Sequence, residues 1–171
     1  MEMEFRRLNL LDLESFVSNR LRALERNPSS FDITLEEEMQ RGTGHFQETL
    51  SSAGPEKVII GALVLSKVVG AVGVFQRARI KRRHTAEIVG LYVDEEYRNK
   101  GVGGKLLDIA IEHAALQMEV TVVHLTVESK NTAARSLYES RRFVCWGTEK
   151  IAMKYKGAFS DEDHMSLSLN Q

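Results

Sequence analysis

Two apolar, β-branched runs, Val58-Ile-Ile-Gly-Ala-Leu-Val-Leu65 and Val68-Val-Gly-Ala-Val-Gly-Val-Phe75, stand only two residues apart, joined by Ser66-Lys67. So short a connection makes the pair an antiparallel hairpin. Helical stripes flank this hairpin in the sequence. Leu13, Phe16, Val17, Leu21 and Leu24 recur at helical spacing until Asn27-Pro28 stops them, and Leu106, Leu107, Ala110, Ile111, Ala114 and Met118 form a second stripe.

The remaining elements follow from the same signals. Phe5 to Leu10 reads as an opening strand, and Thr34 followed by Glu37 has the capping-box spacing that predicts a helix from Leu35, limited by Gly42 and Gly44. Thr85 to Val93 is a third apolar strand, with Gly90 marking a bulge. Thr121 to Val127 is another strand, Asn131 to about Ser140 a helix, and Phe143 to Met153 and Met165 to Leu169 closing strands. The predicted order is β-α-α-β-β-β-α-β-α-β-β, an α/β fold with a mixed sheet and helices on its faces. No repeat or linker divides the 171 residues, so residues 1–171 are expected to form a single domain.

Charge and cysteine content narrow the function. With 23 Lys+Arg against 24 Asp+Glu the net charge is −1, which gives no general attraction to nucleic acid or anionic membrane. The densest basic run, Arg77 to His84, lacks interleaved aromatics and reads as a solvated turn. The single cysteine, Cys145, cannot form an internal disulfide and reads as a packing residue in a cytoplasmic protein. The charged start and the lack of a long apolar run predict neither secretion nor membrane insertion. The five histidines show no metal-ligand spacing; Asp161-Glu-Asp-His164 is the nearest cluster and reads as solvated, so no metal is expected.

The most informative segment is Tyr97-Arg-Asn-Lys-Gly-Val-Gly-Gly-Lys-Leu106, which follows a strand and opens an amphipathic helix. Free amides at a helix start carry the positive end of the dipole, and glycines let an anion approach them; a diphosphate suits such a place. A P-loop is excluded because Asn99 and Leu106 stand where glycine and a hydroxyl are needed. A dinucleotide fingerprint fails because Leu106 takes its third glycine position.

Leu91-Tyr92-Val93, Tyr97 and the RxxGxG pattern of Arg98, Gly101 and Gly103 resemble the acetyl-CoA loop of the GNAT N-acyltransferases. Gly104 adds a further glycine. Asn131, Ala134, Leu137-Tyr138-Glu139 and Phe143 resemble the family's next helix, except that Arg142 stands where glycine is usual. An arginine there occupies a left-handed helix end at a cost of about 1 kcal/mol. The resemblance implies acetyl-CoA as co-substrate, held by the loop Arg98, Asn99, Lys100, Gly101, Val102, Gly103, Gly104 and Lys105. It also implies a backbone groove at Leu91, Tyr92 and Val93 and a helix face of Asn131, Ala134 and Tyr138. The implied reaction is direct acetyl transfer to a primary amine of a small molecule or peptide by a monomer or homodimer.

That chemistry needs a neutral amine and a proton for the departing thiolate. A phenol stays protonated at neutral pH, and the resemblance makes Tyr138 the acid. Glu87 is the candidate base, on a strand face shared with Val89, Leu91 and Val93 if no bulge intervenes; the alternative is a carboxylate paired with the nearby basic run. Asn131 can cap its helix and touch cofactor at once. A second class of function, a non-catalytic acyl-CoA-binding sensor or an interaction module on the same fold, is opposed by the presence of Tyr138.

Overall fold

A computed structural model describes residues 2–169. Seven strands form one sheet in the order β1-β2-β3-β4-β5-β7-β6. They are β1 (Met3–Arg7), β2 (Lys57–Val64), β3 (Lys67–Gln76), β4 (Thr85–Val93), β5 (Val122–Glu128), β6 (Val144–Tyr155) and β7 (Ala158–Ser168). The helices are α1 (Leu13–Arg26), α2 (Leu35–Arg41), α3 (Gly44–Ser51), α4 (Val102–Leu116) and α5 (Thr132–Ser140). All neighbouring strands pair antiparallel except β4 and β5, which are parallel.

The predicted hairpin is β2–β3, and both its faces are buried. Val58, Ile60, Val72 and Val74 join Leu106, Leu107 and Ala110 of α4 in the larger core. Ile59, Leu63, Val68 and Ala71 meet Phe16 of α1 and Leu50 of α3 on the opposite face. Each fully buried aliphatic side chain contributes about 1.5–3 kcal/mol, so the hairpin anchors both layers.

Three expectations are corrected. The first strand ends at Arg7, because Asn9 and Asp12 form a reciprocal capping box that turns the chain into a short 3-10 helix before α1. The helical region after Thr34 is two helices: the Thr34–Glu37 capping box starts α2, Gly42 (φ 72°) ends it, and α3 begins at Gly44. The last strand starts at Ala158, seven residues earlier than expected, because the charged residues Glu162, Asp163 and His164 pair with both β5 and β6.

β4 carries the feature that positions the site. Ala71 pairs with Tyr92 and Gly73 with Val89, so Gly90 and Leu91 together face the single residue Val72. This bulge, with Gly90 at φ 63°, reverses the strand's alternation. Ala86, Ile88 and Val93 consequently share the α4-side core, and Glu87 does not share a face with Leu91 and Val93. β4 pairs with β5 only from Thr85 to Glu87, while β5 is bonded to β7 on its other side from Val122 to Glu128; beyond Glu87 the edge of β4 that faces β5 is open.

Candidate active site

Two chambers lie along that open edge. One, of about 380 Å³, is walled by Leu91, Tyr92 and Val93 of β4, the loop residues Arg98, Asn99 and Gly101, the first turn of α4, and Asn131, Ala134 and Tyr138. The other, of about 550 Å³, lies between α1–α3 and the β4–β5 opening. Leu91, Tyr92, Asn131, Ala134 and Tyr138 belong to both walls, so the chambers meet at these residues.

The smaller chamber ends on the start of α4. Gly101 is its N-cap at φ 78°, a left-handed conformation that glycine adopts without strain, and no side chain caps the helix. Lys105 N donates to Gly101 O at 3.0 Å, which leaves the amides of Val102, Gly103 and Gly104 ahead of the first intrahelical bond. No acidic residue occupies this turn. Uncapped donors at a positive helix end suit a diphosphate. Gly104 serves a second purpose: a β-carbon there would stand 2.5 Å from Nη2 of Arg141, which forms a two-pronged pair with Asp108 at 3.0 and 3.2 Å.

Arg98 is committed to the protein itself. Its Nε donates to Val93 O at 2.9 Å, its Nη2 donates to Asn27 Oδ1 at 2.9 Å, and its guanidinium lies 5.4 Å from the Tyr92 ring centre. The loop's lysines do not wall the chamber. Lys100 Nζ sits over Tyr97 at 5.5 Å and Lys105 Nζ over Phe5 at 4.6 Å.

Tyr138 is buried on α5, and burial pushes its phenol up to about 12. Its ring packs edge-on to Phe143 at 5.9 Å between centres. Asn131 caps α5, its Oδ1 accepting from Ala134 N at 3.2 Å, and the residue walls both chambers. Tyr92 is also buried, and its hydroxyl has no hydrogen-bond partner among the described residues.

Glu87 is not brought to this junction. Its carboxylate pairs with Arg77 and lines neither chamber, the arrangement that the neighbouring basic run offered as its alternative. Cys145 is exposed on β6, the edge strand, and not packed as expected. The acids of Asp161 to His164 diverge because residues alternate along β7. Asp161 pairs with Lys150 at 2.8 Å, and Asp163 accepts from Thr148 at 2.7 Å and Ser129 at 2.8 Å. Glu162 and His164 lie near Glu149 on the other face, with candidate ligand atoms within 4.8 Å of one another.

The Acetyltransferase (GNAT) family matches residues 20–143. The chain belongs to that family. The GNAT match spans both chambers' main walls, and among curated proteins the L-amino acid N-acetyltransferase AaaT of Escherichia coli (strain K12) is 29% identical over 121 residues. That alignment covers 71% of this chain and 74% of AaaT. A GNAT acetyltransferase from Streptococcus pneumoniae superposes with a TM-score of 0.86 at 23% identity, over 98% of this chain and 100% of that one. The yncA protein of Salmonella typhimurium, solved with its cofactor acetyl-CoA, gives a TM-score of 0.80 at 19% identity, over 100% and 96% of the two chains. The chain is thus an acetyl-CoA-dependent N-acetyltransferase of the GNAT fold. No helix among the described residues is long and apolar enough to cross a membrane.

Sequence reading missed the residues of the larger chamber's helical wall. Arg20 of α1, Glu38 of α2 and His45 of α3 converge there from helices with no shared motif. Glu38 is buried, with Arg20 Nε at 3.0 Å and His45 Nε2 at 3.2 Å. Burial, with the positive charge of Arg41 nearby, holds His45 below the usual imidazole range. A buried charged residue leaves no periodic trace, and the capping box of α2 located only the start of that helix.

Proposed function

We propose that the smaller chamber holds acetyl-CoA, that the larger holds the amine acceptor, and that Tyr138 supplies the proton where they meet. The cofactor brings an acetyl group activated as a thioester. The amides of Val102, Gly103 and Gly104 bind its diphosphate, and Gly101 keeps side chains out of the way. The open edge of β4 at Leu91 and Val93 offers backbone groups to an extended arm, in the manner of an added strand. Ala134, a small residue on the α5 face, permits close approach. Tyr138 holds its proton on Oη throughout the neutral range and donates it to the departing sulfur.

The acceptor is a primary amine of a small molecule or peptide, and AaaT's own acceptors, L-amino acids, fall in that class. Its ammonium loses a proton to water in the larger chamber, because Glu87 is engaged with Arg77. Positioning of the two substrates supplies most of the rate. Both chambers are built from one chain, so a monomer or homodimer suffices, and the proposal requires no metal. An exposed, unpaired Cys145 suits the reducing cytoplasm.

The observation that carries this reading is the shared wall at Tyr138 between a chamber ending on uncapped amides and a chamber large enough for an acceptor. The test is thiol release from acetyl-CoA across a panel of amines. Release that depends on the amine supports transfer. Binding of acetyl-CoA without release for every amine would assign the chain to a sensor.

A further inference from the structure

The acceptor chamber contains an arginine whose charge is only half used. Arg20 donates from Nε to Glu38 at 3.0 Å, and its guanidinium carbon lies 4.9 Å over the Phe31 ring. These contacts fix the guanidinium plane from one edge and one face. The terminal nitrogens have no hydrogen-bond partner among the described residues, and Nη1 lies 3.5 Å from where a β-carbon of Gly90 would stand. Arg20 therefore carries its unpaired Nη1 to the β4 bulge at Gly90, in the wall of the larger chamber and one residue along the strand from Leu91, which lines both chambers.

A planar guanidinium with one edge free matches a carboxylate with two parallel N–H bonds. Holding it beside a buried Glu38 is costly unless the pair has a purpose, since one partner alone would leave an uncompensated charge. From β5 and β7, Glu128 and Glu162 stand opposite each other in register and line the same chamber. Carboxylates there suit an ammonium and oppose the extra charge of a phosphate.

Resting on the N-acetyl-transfer reading, we infer that Arg20 is a specificity-determining residue that binds a carboxylate carried beside the acceptor's amine. The chamber thereby selects zwitterionic small amines over amines that lack the acid. Arg20 acts in binding and takes no part in proton transfer.

The test compares matched acceptors: leucine with isoamylamine, phenylalanine with phenethylamine, and each acid with its aminophosphonate counterpart. The wild-type enzyme is expected to prefer the carboxylate member by about 100-fold or more in kcat/KM, because a site built for a polar group is left unpaired without it. In Arg20→Gln that ratio collapses toward one, through KM more than kcat, and Arg20→Lys restores part of it. Because Arg20→Gln removes the arginine from beside buried Glu38, the double variant Arg20→Gln with Glu38→Gln is measured as well, and acetyl-CoA binding by calorimetry verifies the fold of each. Equal use of both members by the wild type, or a preference that survives in folded Arg20→Gln, overturns the inference, as does preference for the phosphonates. Failure of every amine to release thiol while acetyl-CoA binds would instead overturn the transfer reading beneath it.

Discussion

Arg98 Nε donates to the carbonyl of Val93 at 2.9 Å, so the loop that follows β4 is tied back to the end of the same strand. The same guanidinium reaches Asn27 at the end of α1. One side chain thus fixes where the start of α4 stands relative to the backbone groove.

Arg98→Ala removes both bonds and the contact with Tyr92. The expected loss is about 1–3 kcal/mol of stability, together with weaker acetyl-CoA binding, because the free amides of α4 lose their fixed position. Denaturant melting and calorimetric titration measure the two effects separately. Weaker binding with full stability would assign Arg98 to direct cofactor contact.

Arg142 sits at φ 65°, in the left-handed region, where the chain leaves α5. Arg142→Gly relieves that strain and should stabilise the protein by about 1 kcal/mol with kcat unchanged. Thermal unfolding at matched conditions checks it; a destabilised variant would mean that the arginine side chain outweighs its backbone cost.

Glu87→Gln should change kcat by less than about threefold and leave the shape of the pH–rate profile intact, since the carboxylate is paired with Arg77 away from both chambers. Loss of a limb from that profile would return Glu87 to the mechanism as its base.

Asp163 ties three elements at the end of β5. Hydrogen bonds from Thr148 and then Ser129, with the charge of Arg135 at 3.2 Å, hold its carboxyl below the usual range. A carboxyl depressed in the folded state adds stability above its unfolded value of about 3.9, and that stability is lost as pH falls through the folded value. Asp163→Asn should therefore be less stable at pH 7 and lose less further stability on acidification. Urea midpoints from pH 7 down to pH 3 for both proteins test the difference in slope.

The sequence made the hairpin, the α4 loop and α5 legible because each rests on local chemistry: β-branched runs, glycines at a helix start, and a cap at Asn131. Glu87's alternatives could not be separated, because the pairing with Arg77 depends on how β3 and β4 align and on the reversal at Gly90. β7 was under-read for a different reason. Its Asp163 is buried yet satisfied by hydroxyls from Ser129 and Thr148, partners that hydrophobic patterning does not register. The same holds for Arg20 and Glu38, whose pairing joins residues from separate helices, and for Asn27, which meets Arg98 across 71 positions.

Tyr138→Phe tests the central claim most directly, because it removes one oxygen from the wall where the two chambers join. The wild-type phenol, pushed up to about 12, keeps its proton well above neutral pH, so its donor role should not fade as pH rises from 7 to 9. The account predicts that Tyr138→Phe lowers kcat for amine-dependent thiol release by about 100-fold or more while calorimetry still detects tight acetyl-CoA binding. Turnover equal to wild type would contradict it.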